Sequence, residues 1–221
     1  MRKVLENCNF RVTIYYDMDG DQMKDRFESF IENLASQDTV LFFFTGHGVE
    51  FEGEHFFIPI QMKEPEKPSI IRKLAFSADE AMDLLQKRVE DGLKIVISDS
   101  CRSQFEVYRE DLEKKYGHNF NWNINYNPNI HKRVEKKGFS RPKFMNTIKM
   151  CAASKGQTAA AGCGNKMSAY TEALCDNLKR QGENIYTLNE GLTAALRDKS
   201  QSPEMSLMNV TNASTFCFLP K

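Results

Sequence analysis

The chain has 221 residues, 41% of them hydrophobic, which is enough to bury the core of one α/β domain. Thirty basic and thirty acidic side chains give a formal net charge of zero, so no overall field attracts nucleic acid or an anionic membrane. No apolar run approaches the ~20 residues that span a bilayer. These features predict a cytoplasmic protein that binds neither nucleic acid nor membranes and recognises its partners locally.

The cysteines indicate a reducing environment. None of the six belongs to a CxxC pair, and a chain of this length does not need disulfides to fold. No histidine lies at a metal-binding spacing from them, so we expect neither a structural metal nor a cofactor. The six are Cys8, Cys101, Cys151, Cys163, Cys175 and Cys217.

Strand and helix patterns alternate along the chain. Val40–Phe44 is an apolar run without alternation, which is typical of a strand buried on both faces of a parallel sheet, and Leu93–Ile97 repeats this pattern. A helix from Ser77 is predicted by that serine as N-cap with Glu80 three residues later. Further strands are predicted at Phe10–Tyr15, Phe56–Pro59 and Thr147–Ala153, and further helices at about 23–34, 168–181 and 187–197. This order predicts an α/β fold with right-handed crossovers and a mainly parallel sheet.

Two polar loops follow the two apolar strands and carry a histidine and a cysteine. His47 lies in Thr-Gly-His-Gly and Cys101 in Ser-Asp-Ser-Cys-Arg. Open parallel sheets bind ligands beyond the carboxyl ends of their strands, so both side chains are expected at one edge. A cysteine thiol needs a base to become a strong nucleophile, and an imidazole can serve. The amides of Gly48 and Cys101 are candidate donors to an oxyanion.

The run Asp38–Pro59 followed by Asp-Ser-Cys-Arg resembles the caspase, metacaspase and paracaspase superfamily. His47 precedes Cys101 by 54 residues, close to the spacing of about 50 in caspases. The segment Cys151–Ala159 is similar to the start of the family's small subunit. The resemblance implies a three-layer α/β/α caspase-hemoglobinase fold. It also implies hydrolysis of protein or peptide substrates through an acyl-enzyme, with His47 and Cys101 as the dyad.

The same resemblance implies a single domain over residues 1–221. Residues 1–105 correspond to the large-subunit part with the dyad, 106–146 to an insertion or linker, and 147–221 to the small-subunit part. Calcium activation, which many metacaspases show, is compatible with the resemblance but has no residue pattern here. A homodimer is a compatible assembly.

The expected specificity is for basic rather than acidic substrate residues. Aspartate-specific caspases carry glutamine two residues before the cysteine, whereas this chain has Asp99, as metacaspases and paracaspases do. Asp99 and Gln157 are therefore candidate substrate-binding residues, and Ala159–Ala161 replace the residues that receive an aspartate in caspases. The alternative for Asp99 is a carboxylate that caps loop amides. His55 is expected to cap the edge of a strand.

The chain begins where the family's first helix ends, so the fold is expected to be truncated at its N-terminus. Leu5–Val12 resembles the end of that helix and the second strand of the family. The lack of a central strand would expose the edge of a parallel sheet. An alternative function follows, in which the chain is a catalytically silent relative that dimerises or scaffolds signalling partners.

Overall fold

The computed structural model describes residues 1–60, 62, 68–103, 144–160 and 167–220. The helices are α1 Arg2–Asn7, α2 Gly20–Glu32, α3 Pro68–Leu74, α4 Ala78–Arg88, α5 Ala169–Leu178 and α6 Ile185–Leu196, followed by a 3-10 turn at Arg197–Lys199. The strands are β1 Val40–Thr45, β2 Gly48–Phe51, β3 Glu54–Phe57, β4 Phe76–Ser77, β5 Lys94–Asp99, β6 Thr147–Cys151 and β7 Glu204–Met208.

A four-stranded sheet with the order β1-β5-β6-β7 forms the centre of the fold. β1, β5 and β6 are parallel, and β7 runs antiparallel to β6. The sheet is therefore mainly parallel, as predicted. Helices α1, α5 and α6 pack their apolar side chains on one face, and α2 and α4 pack theirs on the other. The result is the expected three-layer α/β/α architecture.

Strand β5 shows why a continuous apolar run is needed at the middle of the sheet. All its residues are buried. Ile95 and Ile97 join the core cluster on the side of α5 and α6, while Val96 joins the cluster on the side of α2 and α4. Alternate residues of a strand point to opposite faces, so the stretch Ile95–Ile97, which is covered on both faces, is apolar at each position, whereas the buried residues at the two ends of β5 are polar.

The expectation that β1 is buried on both faces was wrong in part. β1 lies at the edge of the sheet, and Leu41–Phe44 are only half-buried. An apolar run predicts a strand, but it does not report how many neighbours that strand has. The phenylalanines of β1 still contribute to the core, since Phe42 packs edge-on against Phe27 of α2 at a ring-centroid distance of 5.0 Å.

A second sheet, with the order β2-β3-β4, lies beside the carboxyl end of β1. β2 and β3 form an antiparallel hairpin joined by Glu52 and Gly53, whose φ angles of 50° and 79° place both in the left-handed region. Two such residues are what a tight hairpin turn with the native twist requires. Of this hairpin, only the Phe56–Pro59 part is predicted from the sequence.

The predicted helices are confirmed. α2 begins with a capping box in which Asp19 and Gln22 bond to each other's backbone amides, and Ser77 caps α4 by accepting the Glu80 amide at 2.9 Å. α5 lies within the predicted range 168–181, and α6 begins two residues before the predicted range 187–197.

The predicted strand at Phe10–Tyr15 is wrong, because this segment belongs to no strand ladder. Strand propensity cannot replace a neighbouring strand that supplies hydrogen bonds. Leu5–Asn7 is helical, as the resemblance implied, but the second strand expected before Val12 is not formed.

Most of the predicted insertion, residues 106–143, lies outside the described residues. No described helix is long and apolar enough to span a membrane.

Candidate active site

The parallel register of β1 and β5 brings the two candidate catalytic residues to the same edge of the sheet. Thr45 pairs with Asp99, so His47 and Cys101 each lie two residues beyond the last pair. The Gly46 amide donates to the Asp99 carbonyl at 3.2 Å, which extends the pairing past the strand ends. His47 is exposed and Cys101 is half-buried. Both candidates thus lie in loops at the carboxyl ends of neighbouring parallel strands, the histidine on the surface and the cysteine half-buried.

Gly48 lies against the segment that follows β5, residues 100–103, here called the β5 loop. A Cβ atom at Gly48 would approach the Ser100 hydroxyl to 2.5 Å and the Cys101 carbonyl to 2.7 Å. Real Cβ atoms do not come so close to backbone oxygen, so only glycine fits at this position. The absence of a side chain at Gly48 therefore lets the backbone of β2 pack closely against the β5 loop.

The direction of the Gly48 amide follows from the hairpin register. The His47 carbonyl accepts the Ile58 amide of the extended hairpin at 2.9 Å. Residue pairs in an antiparallel ladder alternate between bonded and non-bonded, so the Gly48 amide points away from β3. The Glu50 amide points the same way and donates to the Ser103 carbonyl at 2.9 Å. The Gly48 amide is therefore directed to the side of the β5 loop.

The sulfur of Cys101 lies against the segment that follows β6, residues 152–160, here called the β6 loop. The Ala159 amide donates to the Cys101 Sγ at 3.4 Å. The backbone of Arg102 bonds the same loop, since its amide donates to the Gln157 carbonyl at 2.8 Å and its carbonyl accepts the Gly156 amide at 2.9 Å. The two parts of the chain on either side of the undescribed segment thus meet at the nucleophile candidate.

Arg102 also carries a buried ion-pair network. Its Nε donates to Glu50 at 2.7 Å and its Nη1 to Glu204 at 2.8 Å. The Arg102 and Glu50 side chains are 9% and 2% exposed, whereas that of Glu204 is 41% exposed. A buried guanidinium needs such partners, because an unpaired charge in a desolvated site is costly. The network ties the β5 loop to both β2 and β7.

Asp99 is buried at the end of β5, and its carboxylate already has three hydroxyl partners. Thr45, Ser168 and Thr171 all donate to it, and Ser168 is also the N-cap of α5. Burial raises the pKa of Asp99, and the three hydroxyl donors oppose that rise. Asp99 therefore joins β1, β5 and the start of α5, directly before the β5 loop.

His55 is buried inside β3, not at the edge of a strand as predicted. It is 2% exposed, and its Nε2 lies 3.0 Å from the Ser100 hydroxyl, which in turn lies 2.7 Å from the Ser98 hydroxyl. Burial and the cations of Lys149 and Arg102 lower the pKa of His55 to about 3. The imidazole is therefore neutral at physiological pH.

Gln157, the other candidate for substrate binding, lies on the β6 loop. Its side chain is exposed, and its backbone carbonyl accepts the Arg102 amide. Gln201, which no sequence motif marks, also stabilises this loop: its side chain accepts the Ala160 amide at 3.1 Å and donates to the Ala152 carbonyl at 2.8 Å. Ala161 and Cys163 lie outside the described residues.

The cysteines are free thiols in the part of the chain that the structure describes. Cys151 is buried next to the site, and burial raises the pKa of its thiol, so it stays protonated and is a poor nucleophile. No group of three or more histidine, cysteine or carboxylate side chains suited to a metal occurs among the described residues.

The fold and the site together define a class: an α/β protein with a cysteine and a histidine on adjacent loops at the carboxyl ends of parallel strands. A search of family models matches residues 1–214 to the caspase domain. The chain belongs to this family of cysteine peptidases.

The structure is similar to that of caspase-1 from Spodoptera frugiperda, with a TM-score of 0.65 and 14% sequence identity. The match covers 100% of this chain and 79% of the solved chain. At this identity the likeness supports the shared fold. None of the curated protein sequences gives a significant match.

The unequal burial of the two Arg102 partners leads to a stability prediction. We expect Glu50→Ala to lower the free energy of unfolding by about 3–5 kcal/mol, since it leaves a buried guanidinium without its buried partner. Glu204→Ala removes a solvent-screened contact and should cost less than about 1 kcal/mol. Urea denaturation of both variants measures the difference, and equal losses would contradict the assignment.

The neutral, buried His55 leads to a prediction about acid stability. The unfolded imidazole binds a proton below about pH 6.5, whereas the folded one does so only near pH 3, so stability falls as the pH falls between these values. His55→Gln removes this dependence. Between pH 6 and 4 the wild-type protein should lose about 1.4 kcal/mol per pH unit more than the variant. Urea denaturation at each pH measures this difference. If the wild-type protein and His55→Gln lose stability equally between pH 6 and 4, His55 takes up a proton in the folded protein as readily as in the unfolded one, and the prediction is wrong.

Proposed function

We propose that the chain is an active cysteine endopeptidase with Cys101 as nucleophile and His47 as general base and acid. The observation that carries the proposal is the β1–β5 register, which puts both residues two positions past one pair of strand ends. The packing of Gly48 against the Cys101 carbonyl supports it, since the two loops form one surface.

The proposed reaction forms and breaks one covalent bond to the enzyme. His47 accepts the thiol proton, and Cys101 Sγ attacks the substrate carbonyl carbon to give a tetrahedral oxyanion. The amides of Gly48 and Cys101 donate to that oxygen. The C–N bond then breaks as His47 returns the proton to the leaving amine. Water, deprotonated by His47, hydrolyses the thioester, and the carboxylic acid and free thiol result.

The dyad is tested by single substitutions in the full chain. We expect Cys101→Ala and His47→Ala each to lower kcat/KM on fluorogenic peptides by about 10³-fold or more, because each removes a group that acts in the chemical step. Cys217→Ala is the matched control, since this half-exposed thiol lies outside the site and should leave turnover unchanged.

Peptides with arginine, lysine and aspartate before the scissile bond should be tested in parallel. Turnover that depends on Cys101 confirms the proposal. No turnover of any peptide by the wild-type chain, with no labelling of Cys101 by an electrophilic peptide, would contradict it. That result would favour the alternative of a catalytically silent caspase-like scaffold.

Within this function we propose that Asp99 and Gln157 bind the substrate and favour a basic residue before the scissile bond. The support is positional: Asp99 lies two residues before the nucleophile, and Gln157 is exposed on the loop that contacts the Cys101 sulfur. A carboxylate next to a desolvated pocket attracts a lysine or arginine side chain. The hydroxyl partners of Asp99 give it a structural function as well.

Asp99→Asn separates these two functions of Asp99, because asparagine keeps an oxygen for the hydroxyl donors but loses the charge. We expect kcat/KM for an arginine peptide to fall about 10–100-fold, and that for the uncharged citrulline analogue to change less than about 3-fold. Measuring both substrates on both proteins gives the result. Equal losses on the two peptides would assign Asp99 a purely structural function.

A further inference from the structure

His55 contacts the β5 loop from beneath, on the side away from solvent. Its Nε2 lies 3.0 Å from the Ser100 hydroxyl. A Cβ atom at Gly48 would lie 2.8 Å from the same Nε2 and 2.7 Å from the Cys101 carbonyl oxygen, so the three groups surround one point. The ring thus contacts the residue before the nucleophile and lies on the same side of Gly48 as the nucleophile's carbonyl.

The tautomer of His55 follows from its partners. Nδ1 is buried and has no hydrogen-bond partner among the described residues. A backbone hydrogen bond with Cys101 raises the pKa of His55, against the larger effect of burial. Only a carbonyl acceptor favours the protonated ring, since an amide donor would favour the neutral one. We assign the proton to Nε2, the ring nitrogen that lies 3.0 Å from the Ser100 hydroxyl and faces the Cys101 carbonyl.

We propose that His55 is a positioning residue of the peptidase: its Nε2–H anchors the Cys101 carbonyl and the Ser100 hydroxyl, and so holds the Cys101 amide and sulfur in place for attack. The inference rests on the proposed peptidase function. A fixed β5 loop keeps the sulfur beside the Ala159 amide and aims the Cys101 amide at the developing oxyanion.

His55 is too buried to be the general base itself. Neither His55 nor Ser100 exceeds 2% exposure, so neither can exchange a proton with a bound peptide. A positive charge on His55 would also face the cations of Lys149 and Arg102. Its function is to hold the loop through a neutral N–H donor.

The surroundings of His55 do not require a histidine for packing. The ring lies edge-on to Phe57 at a ring-centroid distance of 5.3 Å, and the buried Nδ1 lacks a partner. A buried polar atom without a partner costs stability that an apolar side chain would not. A polar group retained at such a cost is typical of a site where position matters more than stability.

The test compares His55→Leu, which removes the donor, with His55→Gln, whose amide nitrogen reaches about as far as Nε2. In His55→Leu we expect kcat to fall about 10–100-fold with KM within about 2-fold, because a displaced nucleophile affects the chemical step. His55→Gln should restore kcat to within about 3-fold of wild type. Urea denaturation at neutral pH measures the stability of both variants, so that kcat is compared per folded molecule.

Phe56→Leu is the matched control. Phe56 is the next residue on β3, buried in a separate core cluster that does not include the site. This variant perturbs the strand without touching the β5 loop, so its kcat per folded molecule should equal that of wild type. A loss in Phe56→Leu as large as that in His55→Leu would assign the effect to β3 packing and overturn the proposal.

A second readout does not require peptidase activity. Site-resolved mass spectrometry gives the rate constant for alkylation of Cys101 by iodoacetamide, which depends on the sulfur's surroundings. We expect it to fall about 5-fold in His55→Leu and to recover in His55→Gln, because the sulfur leaves the Ala159 amide when the loop moves. If the wild-type chain hydrolyses no peptide, the proposed peptidase function is wrong. The alkylation rates then still test whether His55 positions Cys101. Unchanged alkylation and unchanged kcat in His55→Leu would overturn the positioning role.

Discussion

The guanidinium of Arg102 holds together the parts of the chain on which the site depends. It is buried between Glu50 of β2 and Glu204 of β7, and the Arg102 backbone bonds the β6 loop. Residues 104–143 separate the two parts of the chain in sequence, so these contacts help to hold Cys101 next to the β6 loop. A buried guanidinium is stable only when its carboxylate partners are in place. The Arg102 network therefore favours this one arrangement of the loops over others.

The site lies above a layer of buried polar groups. Asp99, His55 and Arg102 are all buried within two residues of Cys101 or in contact with its loop. Each has hydrogen-bond partners on a different strand or helix. Such a layer fixes loop backbone more strictly than apolar packing does, because hydrogen bonds are directional. The exposed His47, in contrast, is free to face a substrate.

The catalytic candidates could be identified from the sequence because each follows a strand that is recognisable by its own composition. The supporting residues could not. His55 and Ser100 are 45 residues apart, and Arg102 and Glu204 are 102 apart, so no local spacing relates them. The Glu52–Gly53 turn was a readable hairpin signal, but the position of β2 beside the β5 loop depends on long-range contacts.

The sequence by itself determined the α/β class, the capped helices and the two loops with His47 and Cys101, because hydrophobic periodicity, caps and short motifs are local properties. It could not show that Phe10–Tyr15 lacks a strand partner, that β1 lies at an edge, or that His55 is buried beneath the nucleophile. These features depend on which segments become neighbours. Only the tertiary structure decides that, since pairing and burial are settled between residues far apart in the chain.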